Sequence, residues 1–122
     1  MRLFSDFEKY KKIKLIEKNE NSVTLEFSIP DTSPYYDGHF PGFPVLPAVA
    51  QVDLVVHFAL EHFGINIGIS KINRIKFSNI IRPENPLVLF IELGKKNIDF
   101  KISSPEGETV YSSGVMTISL IS

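Results

Sequence analysis

A histidine and an isolated acid are the residues of this sequence whose types and spacing point to acid–base chemistry. His39 lies in a segment rich in proline and glycine, and Asp53 follows fourteen positions later inside an apolar run. A buried charged group is costly unless it is paired or neutralised. An imidazole and a lone carboxyl beside apolar surface therefore indicate proton transfer to and from an apolar substrate.

The segment that carries His39 holds too many helix and strand breakers to form regular structure. Residues 30–47 contain five of the chain's eight prolines, together with Gly38 and Gly42. Proline and glycine at this density predict a loop. Long ordered loops in compact domains are often functional, so this loop is a candidate site for the chemistry.

A helix is predicted directly after the loop, over residues 48–63. Pro47 suits a first helical turn, where its missing N–H costs little, and Gly64 suits a C-terminal stop. The predicted helix is apolar on nearly every side, which indicates that other structure encloses it. His62 falls in the last turn, and we expect it at the surface.

Most residues outside the loop and the helix alternate polar and apolar side chains with the period of a β-strand. The predicted strands cover residues 12–17, 22–29, 71–81, 87–93, 97–103 and 108–121. The first two strands predict a hairpin, and the others predict a meander. A sheet with one apolar helix should curl around that helix, because both need their apolar faces covered. The sequence therefore predicts an α+β fold with an antiparallel sheet.

Composition narrows the class of protein. The chain has 122 residues, no cysteine, 43% hydrophobic residues and a formal net charge of −1. We expect one domain over residues 1–122 and no nucleic-acid partner, which usually needs a basic excess. Residues 1–18 lack the apolar core of a signal peptide, and Asp53 and His57 interrupt the longest apolar run. These features predict a cytoplasmic protein with no membrane span.

Two stretches of the sequence carry a resemblance to a known family. The first is His39-Phe40-Pro41-Gly42-x-Pro44-Val45-x-Pro47 with the acid fourteen positions after the histidine, and the second is Ile75-Lys76-Phe77-x-x-x-Ile81-Arg82-Pro83 leading into Leu87-x-Leu89. Over residues 35–93 the chain resembles the hotdog-fold 3-hydroxyacyl-[acyl carrier protein] dehydratases of fatty acid biosynthesis. The resemblance is specific because several prolines, the glycine, the histidine and the acid recur in register.

The resemblance implies a hotdog fold, in which a curved antiparallel sheet wraps a long central helix. It implies a homodimer or a dimer of dimers, with each active site between two subunits that contribute the histidine and the acid separately. By this resemblance His39 removes the substrate α-proton, and Asp53 protonates the departing 3-hydroxyl. The backbone N–H of Ala48 polarises the thioester carbonyl.

The resemblance also implies what the substrate brings to the site. The substrate is a 3-hydroxyacyl thioester of acyl carrier protein or coenzyme A, so the phosphopantetheine arm belongs to the substrate and no metal or redox cofactor is expected. Gly42 and Pro47 fix the loop, while Phe40 and Phe43 pack within it or line an acyl tunnel. Four basic residues form a solvated face or receive the acidic carrier protein: Lys71, Arg74, Lys76 and Arg82.

Elementary chemistry agrees with these roles. Removing an α-proton builds negative charge on the thioester oxygen, and N–H groups at a helix N-terminus stabilise such charge. Hydroxide leaves slowly unless it is protonated, so an acid must donate a proton. A carboxyl group in apolar surroundings favours its protonated form, which suits it to that task.

The sequence departs from the usual pattern of the family at three positions. Ala48 replaces a glycine, and its methyl group adds bulk near the thioester and restricts the backbone. Asp53 is the acid of one branch of the family, where other branches carry glutamate. His57 replaces a glutamine one helical turn after the acid. A neutral His57 ring would orient the carboxyl group, whereas a protonated ring would hold it ionised.

Two other classes of function stay open at this point. A hotdog acyl thioesterase would use a carboxylate to activate water and would not need His39. A non-catalytic accessory subunit would bind an acyl group or an acyl carrier without turnover, and Ala48 and His57 favour that class. A metal site built from His39, Asp53 and His57 is not expected, because the spacing lacks the usual ligand patterns.

Overall fold

The computed structural model describes residues 13–29, 46–64 and 67–120. Within these ranges the elements are β1 (Lys14–Lys18), β2 (Ser22–Phe27), α1 (Ala48–Phe63), β3 (Ile67–Phe77), β4 (Leu87–Leu93), β5 (Asn97–Ser103) and β6 (Val110–Leu120). The six strands form one antiparallel sheet, and α1 lies against one face of it. This is the predicted α+β architecture.

The strand order is β1-β2-β4-β5-β6-β3. Strands β4, β5 and β6 form a meander, but the expectation that β3 continues it was wrong. β3 instead pairs with β6 at the edge of the sheet, because β4 already pairs with β2 and β5 on its two sides. β3 and β6 are both eleven residues long, which gives them the longest ladder in the sheet.

The bounds of α1 match the prediction from the sequence. Pro47 occupies the N-cap, one residue before the first helical turn in which it was expected, and it offers no side-chain cap. Gly64 ends the helix with a left-handed φ of 69°, and its N–H donates to the Leu60 carbonyl at 3.0 Å. Glycine adopts this conformation without the steric cost that a Cβ would add.

One face of α1 is buried against the sheet. Phe58 is fully buried, and its ring lies 5.4 Å from that of Phe27 between centroids. The opposite face is open in the single chain, since Val49 is 75% exposed and Leu60 is 41% exposed. The expectation that the whole helix is enclosed was therefore wrong for this chain alone. An apolar helix face left open in a single chain indicates that another surface covers it.

The sheet supplies the other half of the core through alternate side chains. In β2 the buried residues are Val23, Leu25 and Phe27, and β4 and β5 alternate in the same way. Each large apolar side chain contributes about 1.5–3 kcal/mol when it is fully buried, so the alternation fixes which face of the sheet meets α1.

β3 begins and ends earlier than the predicted strand over residues 71–81. It starts at Ile67, which pairs with Leu120, and it ends at Phe77. The chain leaves the ladder there because the N–H groups of Ser78 and Asn79 both donate to the Tyr111 carbonyl, at 2.9 Å and 3.3 Å. Such a shared acceptor turns the backbone out of register with β6.

Among the described residues, no helix is both long and apolar enough to cross a membrane.

Candidate functional site

Four of the eight site residues predicted from the sequence lie within the described residues. These are Pro47, Ala48, Asp53 and His57, all at or within α1. The other four, His39, Phe40, Gly42 and Phe43, lie outside the described residues. The site is therefore built here from the N-terminal half of α1 and from what surrounds it.

The first turn of α1 presents backbone N–H groups. The N–H groups of Ala50 and Gln51 donate to the Pro47 carbonyl, at 3.1 Å and 3.2 Å. The N–H groups of Ala48 and Val49 precede them and are not taken up by any described residue, and Pro47 at the N-cap makes no side-chain hydrogen bond. Unpaired N–H groups and the helix dipole make this end attractive to an electron-rich atom.

Asp53 and His57 lie on α1 one turn apart, and both are half-buried in the single chain. Residues four apart share a helix face, so both lie on the stripe that carries exposed Val49 and Leu60. The acid is therefore on the side of α1 that the sheet of its own chain does not cover. A second subunit on this side would enclose the carboxyl group.

Gln51 is a site residue that the sequence analysis missed. It is 3% exposed and lines a cavity of about 220 Å³ beside Ala48, with residues 77–80 on the other wall. Its Nε2 donates to the Leu46 carbonyl at 3.3 Å, while its Oε1 is buried and has no hydrogen-bond partner among the described residues. The available signal was an amide side chain inside a run of apolar residues.

His62 is half-buried and does not lie at the surface as expected. Its ring centroid is 6.3 Å from that of Phe58, and its Nε2 is buried with no hydrogen-bond partner among the described residues. Burial lowers the pKa of His62 below 6.5, and the positive charge of Lys18 acts in the same direction. This histidine lies at the far end of α1 from Ala48, so it is separate from the candidate site.

The basic residues singled out in the sequence are all exposed. Lys71, Arg74 and Lys76 pair with Thr117, Val115 and Ser113 of β6, which places these three on the sheet face away from α1. Arg74 and Lys76 line a groove of about 550 Å³ on that face. Arg82 lies beyond the end of β3 and is not part of this groove.

No group of three or more histidine, aspartate, glutamate or cysteine side chains is placed to hold a metal ion within residues 13–29, 46–64 and 67–120.

Solved structures with this arrangement are hotdog folds. An uncharacterised protein from Erwinia carotovora superposes with a TM-score of 0.72 at 31% identity, covering 91% of this chain and 93% of that one. The dehydratase heterocomplex ApeI:P from Xenorhabdus doucetiae contains a chain with a TM-score of 0.75 at 27% identity, covering 88% of this chain and 97% of that one. The predicted hotdog fold is confirmed.

Sequence comparison gives the family. The ApeI-like family, described as ApeI dehydratase, matches residues 15–115. The 3-hydroxyacyl-[acyl-carrier-protein] dehydratase FabZ of Levilactobacillus brevis is 29% identical over 79% of this chain and 72% of its own length. FabZ of Pelotomaculum thermopropionicum is 32% identical, and there the match spans 66% of this chain and 61% of the relative. The chain belongs to the ApeI-like dehydratase family.

Proposed function

We propose that this protein dehydrates a 3-hydroxyacyl thioester, carried by acyl carrier protein, to the trans-2-enoyl thioester and water. The proposal is supported by membership of the ApeI-like dehydratase family and by the 3-hydroxyacyl-[acyl-carrier-protein] substrate in the names of the FabZ relatives. The observation that carries it is the uncapped first turn of α1, with Asp53 one and a half turns further along the same helix. This elimination needs N–H groups that stabilise negative charge on the thioester oxygen, and an acid that protonates the leaving hydroxyl.

In the proposed reaction His39 takes the proton from the carbon next to the thioester carbonyl. The negative charge that develops on the carbonyl oxygen is stabilised by the N–H of Ala48 at the positive end of α1. Asp53 gives a proton to the 3-hydroxyl, so the carbon–oxygen bond breaks with water as the leaving group. A double bond forms between the second and third carbons. Loss of water from the substrate is neither an oxidation nor a reduction overall, so we propose no redox cofactor.

We further propose that two subunits complete the site by pairing at β3. β3 is an edge strand, and edge strands present unpaired backbone groups to a partner. Ile72 and Phe77 pair with Met116 and Ser112 on the α1 side of the sheet, yet they are 56% and 44% exposed. A second chain at this edge would cover them and the open face of α1, and would bring a second subunit towards Asp53.

The subunits are either two copies of this chain or this chain with a related one. The Xenorhabdus structure is a dehydratase heterocomplex, which supports the second arrangement. In a heterodimer only one of the two sites needs a complete set of residues. Ala48 and His57, which depart from the usual pattern of the family, would then fit a subunit that contributes part of a site. A homodimer would dehydrate the substrate with this chain alone, whereas a heterodimer would need the related chain as well.

The test is a mass-spectrometric assay on 3-hydroxyacyl-carrier-protein and 3-hydroxyacyl-coenzyme A substrates of several chain lengths. We expect wild type to remove one water, and Asp53→Asn to lose about 10²–10⁴ in rate, which is the usual contribution of a positioned acid. Glu106→Gln is the control, because Glu106 is an exposed acid between β5 and β6 and does not line the groove that holds Arg74 and Lys76.

Four results would bear on the proposal differently. Equal activity of Asp53→Asn and Glu106→Gln would refute the role of Asp53. Loss of the acyl chain as free acid, in place of water, would identify a thioesterase. Activity that appears only when a related subunit is added would assign this chain to a heterodimer. Weaker binding of the carrier protein at high salt, without a matching change for coenzyme A, would support docking at Arg74 and Lys76.

A further inference from the structure

The buried side chain of Gln51 ties the first turn of α1 to the chain that precedes the helix. Its Nε2 donates to the Leu46 carbonyl at 3.3 Å, and the orientation of the amide follows from this partner because a carbonyl only accepts. Gln51 is 3% exposed, so water does not compete for the bond. The bond is made by a side chain across five residues, so it adds to the regular hydrogen bonding of the helix.

Leu46 is in turn fixed to the far wall of the cavity beside the first turn. Its N–H donates to the Ile81 carbonyl at 2.9 Å, and the side chains of Leu46 and Ile81 are both buried. Ile81 directly follows residues 77–80, which line that cavity together with Ala48. Gln51, Leu46 and Ile81 therefore form one continuous connection from α1 to the far wall.

The connection reaches the backbone N–H of Ala48 through a stiff segment. Pro47 lies between Leu46 and Ala48, and its ring fixes φ, which is −70° here. The Pro47 carbonyl accepts hydrogen bonds from two N–H groups of the first turn, which holds the peptide that carries the Ala48 N–H against the helix. Few torsions stay free between the Leu46 carbonyl and that N–H. Anchoring the carbonyl therefore also fixes the position of the Ala48 N–H relative to the far wall.

The Gln51 amide carries a cost that an apolar side chain would avoid. Its Oε1 is buried and has no hydrogen-bond partner among the described residues, and such an atom destabilises the folded chain. A methionine would fill a similar volume without that cost. The amide therefore indicates that the bond from Nε2 to the Leu46 carbonyl has a use beyond filling space in the core.

We propose that Gln51 is a positioning residue that holds the Ala48 N–H where it stabilises negative charge on the thioester oxygen. This inference rests on the proposed function, since it takes an acyl thioester as the substrate. Gln51 touches neither the substrate nor the reacting atoms, and it acts through Leu46. The Ala48 N–H interacts more strongly with the developing oxyanion than with the neutral carbonyl. A shift of that N–H therefore costs more in the transition state than in the ground state.

The test removes the amide and follows both turnover and the backbone. In turnover assays Gln51→Met should lower kcat about tenfold with KM little changed, because the loss falls on the transition state. Residue-resolved hydrogen exchange on the protein in its native assembly should show the Leu46 N–H exchanging about tenfold faster. The Gly64 N–H, which donates to the Leu60 carbonyl at the other end of α1, should keep its exchange rate.

Two further variants separate positioning from packing. Leu54→Met changes another fully buried side chain of α1 and removes no hydrogen bond, so we expect wild-type kcat and wild-type exchange at Leu46. Gln51→Glu should come close to wild type at acidic pH, where its protonated carboxyl group can donate to the Leu46 carbonyl, and should lose activity once that group ionises. The other residues that line the cavity are not titratable, so a pH dependence that wild type lacks reports on the new carboxyl group.

The proposal is overturned if Gln51→Met keeps the kcat of wild type, if Leu54→Met lowers kcat as much, or if Leu46 exchanges at the same rate with and without the amide. If Gln51→Met does not fold, the pH dependence of Gln51→Glu decides alone. Failure of the proposed function gives a different result, because wild type would then remove no water from any substrate. Faster exchange at Leu46 in Gln51→Met would still show that the amide holds the first turn of α1.

Discussion

Gly114 is the position where a single methyl group should do most damage to the sheet. It lies in β6 opposite Ile75 of β3 and Phe100 of β5. A Cβ added there would fall 2.8 Å from both the Cα and the Cγ1 of Ile75, and it would also meet the Arg74 carbonyl oxygen. Two of these three atoms belong to the backbone, so rotating the Ile75 side chain would relieve only one contact.

The expected effect of Gly114→Ala follows from these contacts. Overpacking a well-filled interior costs about 1–3 kcal/mol, and backbone atoms that cannot rotate away place this case near the upper end. A loss of ~3 kcal/mol lowers the Tm of a domain of this size by roughly 10 °C. Thermal unfolding followed by circular dichroism measures it.

Gly94→Ala is the matched control for this experiment. Among the described residues, a Cβ at Gly94 would meet only the Asn97 carbonyl oxygen within 4 Å, at 3.4 Å, and the φ of Gly94 lies outside the left-handed region. We expect its Tm to stay close to that of wild type. The reasoning is refuted if Gly114→Ala unfolds at the same temperature as Gly94→Ala. The space between Gly114 and Ile75 would then be large enough to hold a methyl group.

Two further predictions concern pH and assembly. Because burial lowers the pKa of His62, the unfolded chain binds the proton first as pH falls below 6.5, so the free energy of unfolding should decrease there and recover above it. His62→Phe should flatten that part of the pH profile in urea unfolding, and parallel profiles for the two proteins would contradict it. Ile72→Lys should halve the mass measured by light scattering without changing the circular dichroism spectrum, because it places a charge at the proposed β3 interface. Leu15→Lys, at the opposite edge and 51% exposed, should keep the wild-type mass; an unchanged mass for both variants would exclude β3 as the interface.

The local parts of the fold were predictable from the sequence. The bounds of α1 follow from Pro47 and Gly64, because caps act within one helical turn. β4 and β5 also match their predicted ranges, since alternation within seven residues defines each of them. The position of β3 beside β6 was not predictable, because strand pairing depends on partners about forty residues apart in sequence, as for Ile72 and Met116.

The candidate site was predictable where a residue's type alone implied chemistry. Asp53 stands out as an acid in an apolar run, and Ala48 follows from the predicted start of the helix. Gln51 did not stand out, because an amide becomes informative only when its burial and its missing partner are known, and both are properties of the packed chain. His62 was placed at the surface for the same reason: its contact with Phe58 depends on packing, not on its place in the last turn.

The two edges of the sheet differ in a way that bears on polymerisation. β1 is five residues long, exposed along its whole length, charged at three of its positions and bent by an irregularity between Leu15 and Glu17. Short, charged and distorted edges resist the addition of further strands. Among the described strands, subunits that join at β3 would leave β1 at the two outer ends, and an assembly of that kind would resist extension into a fibre.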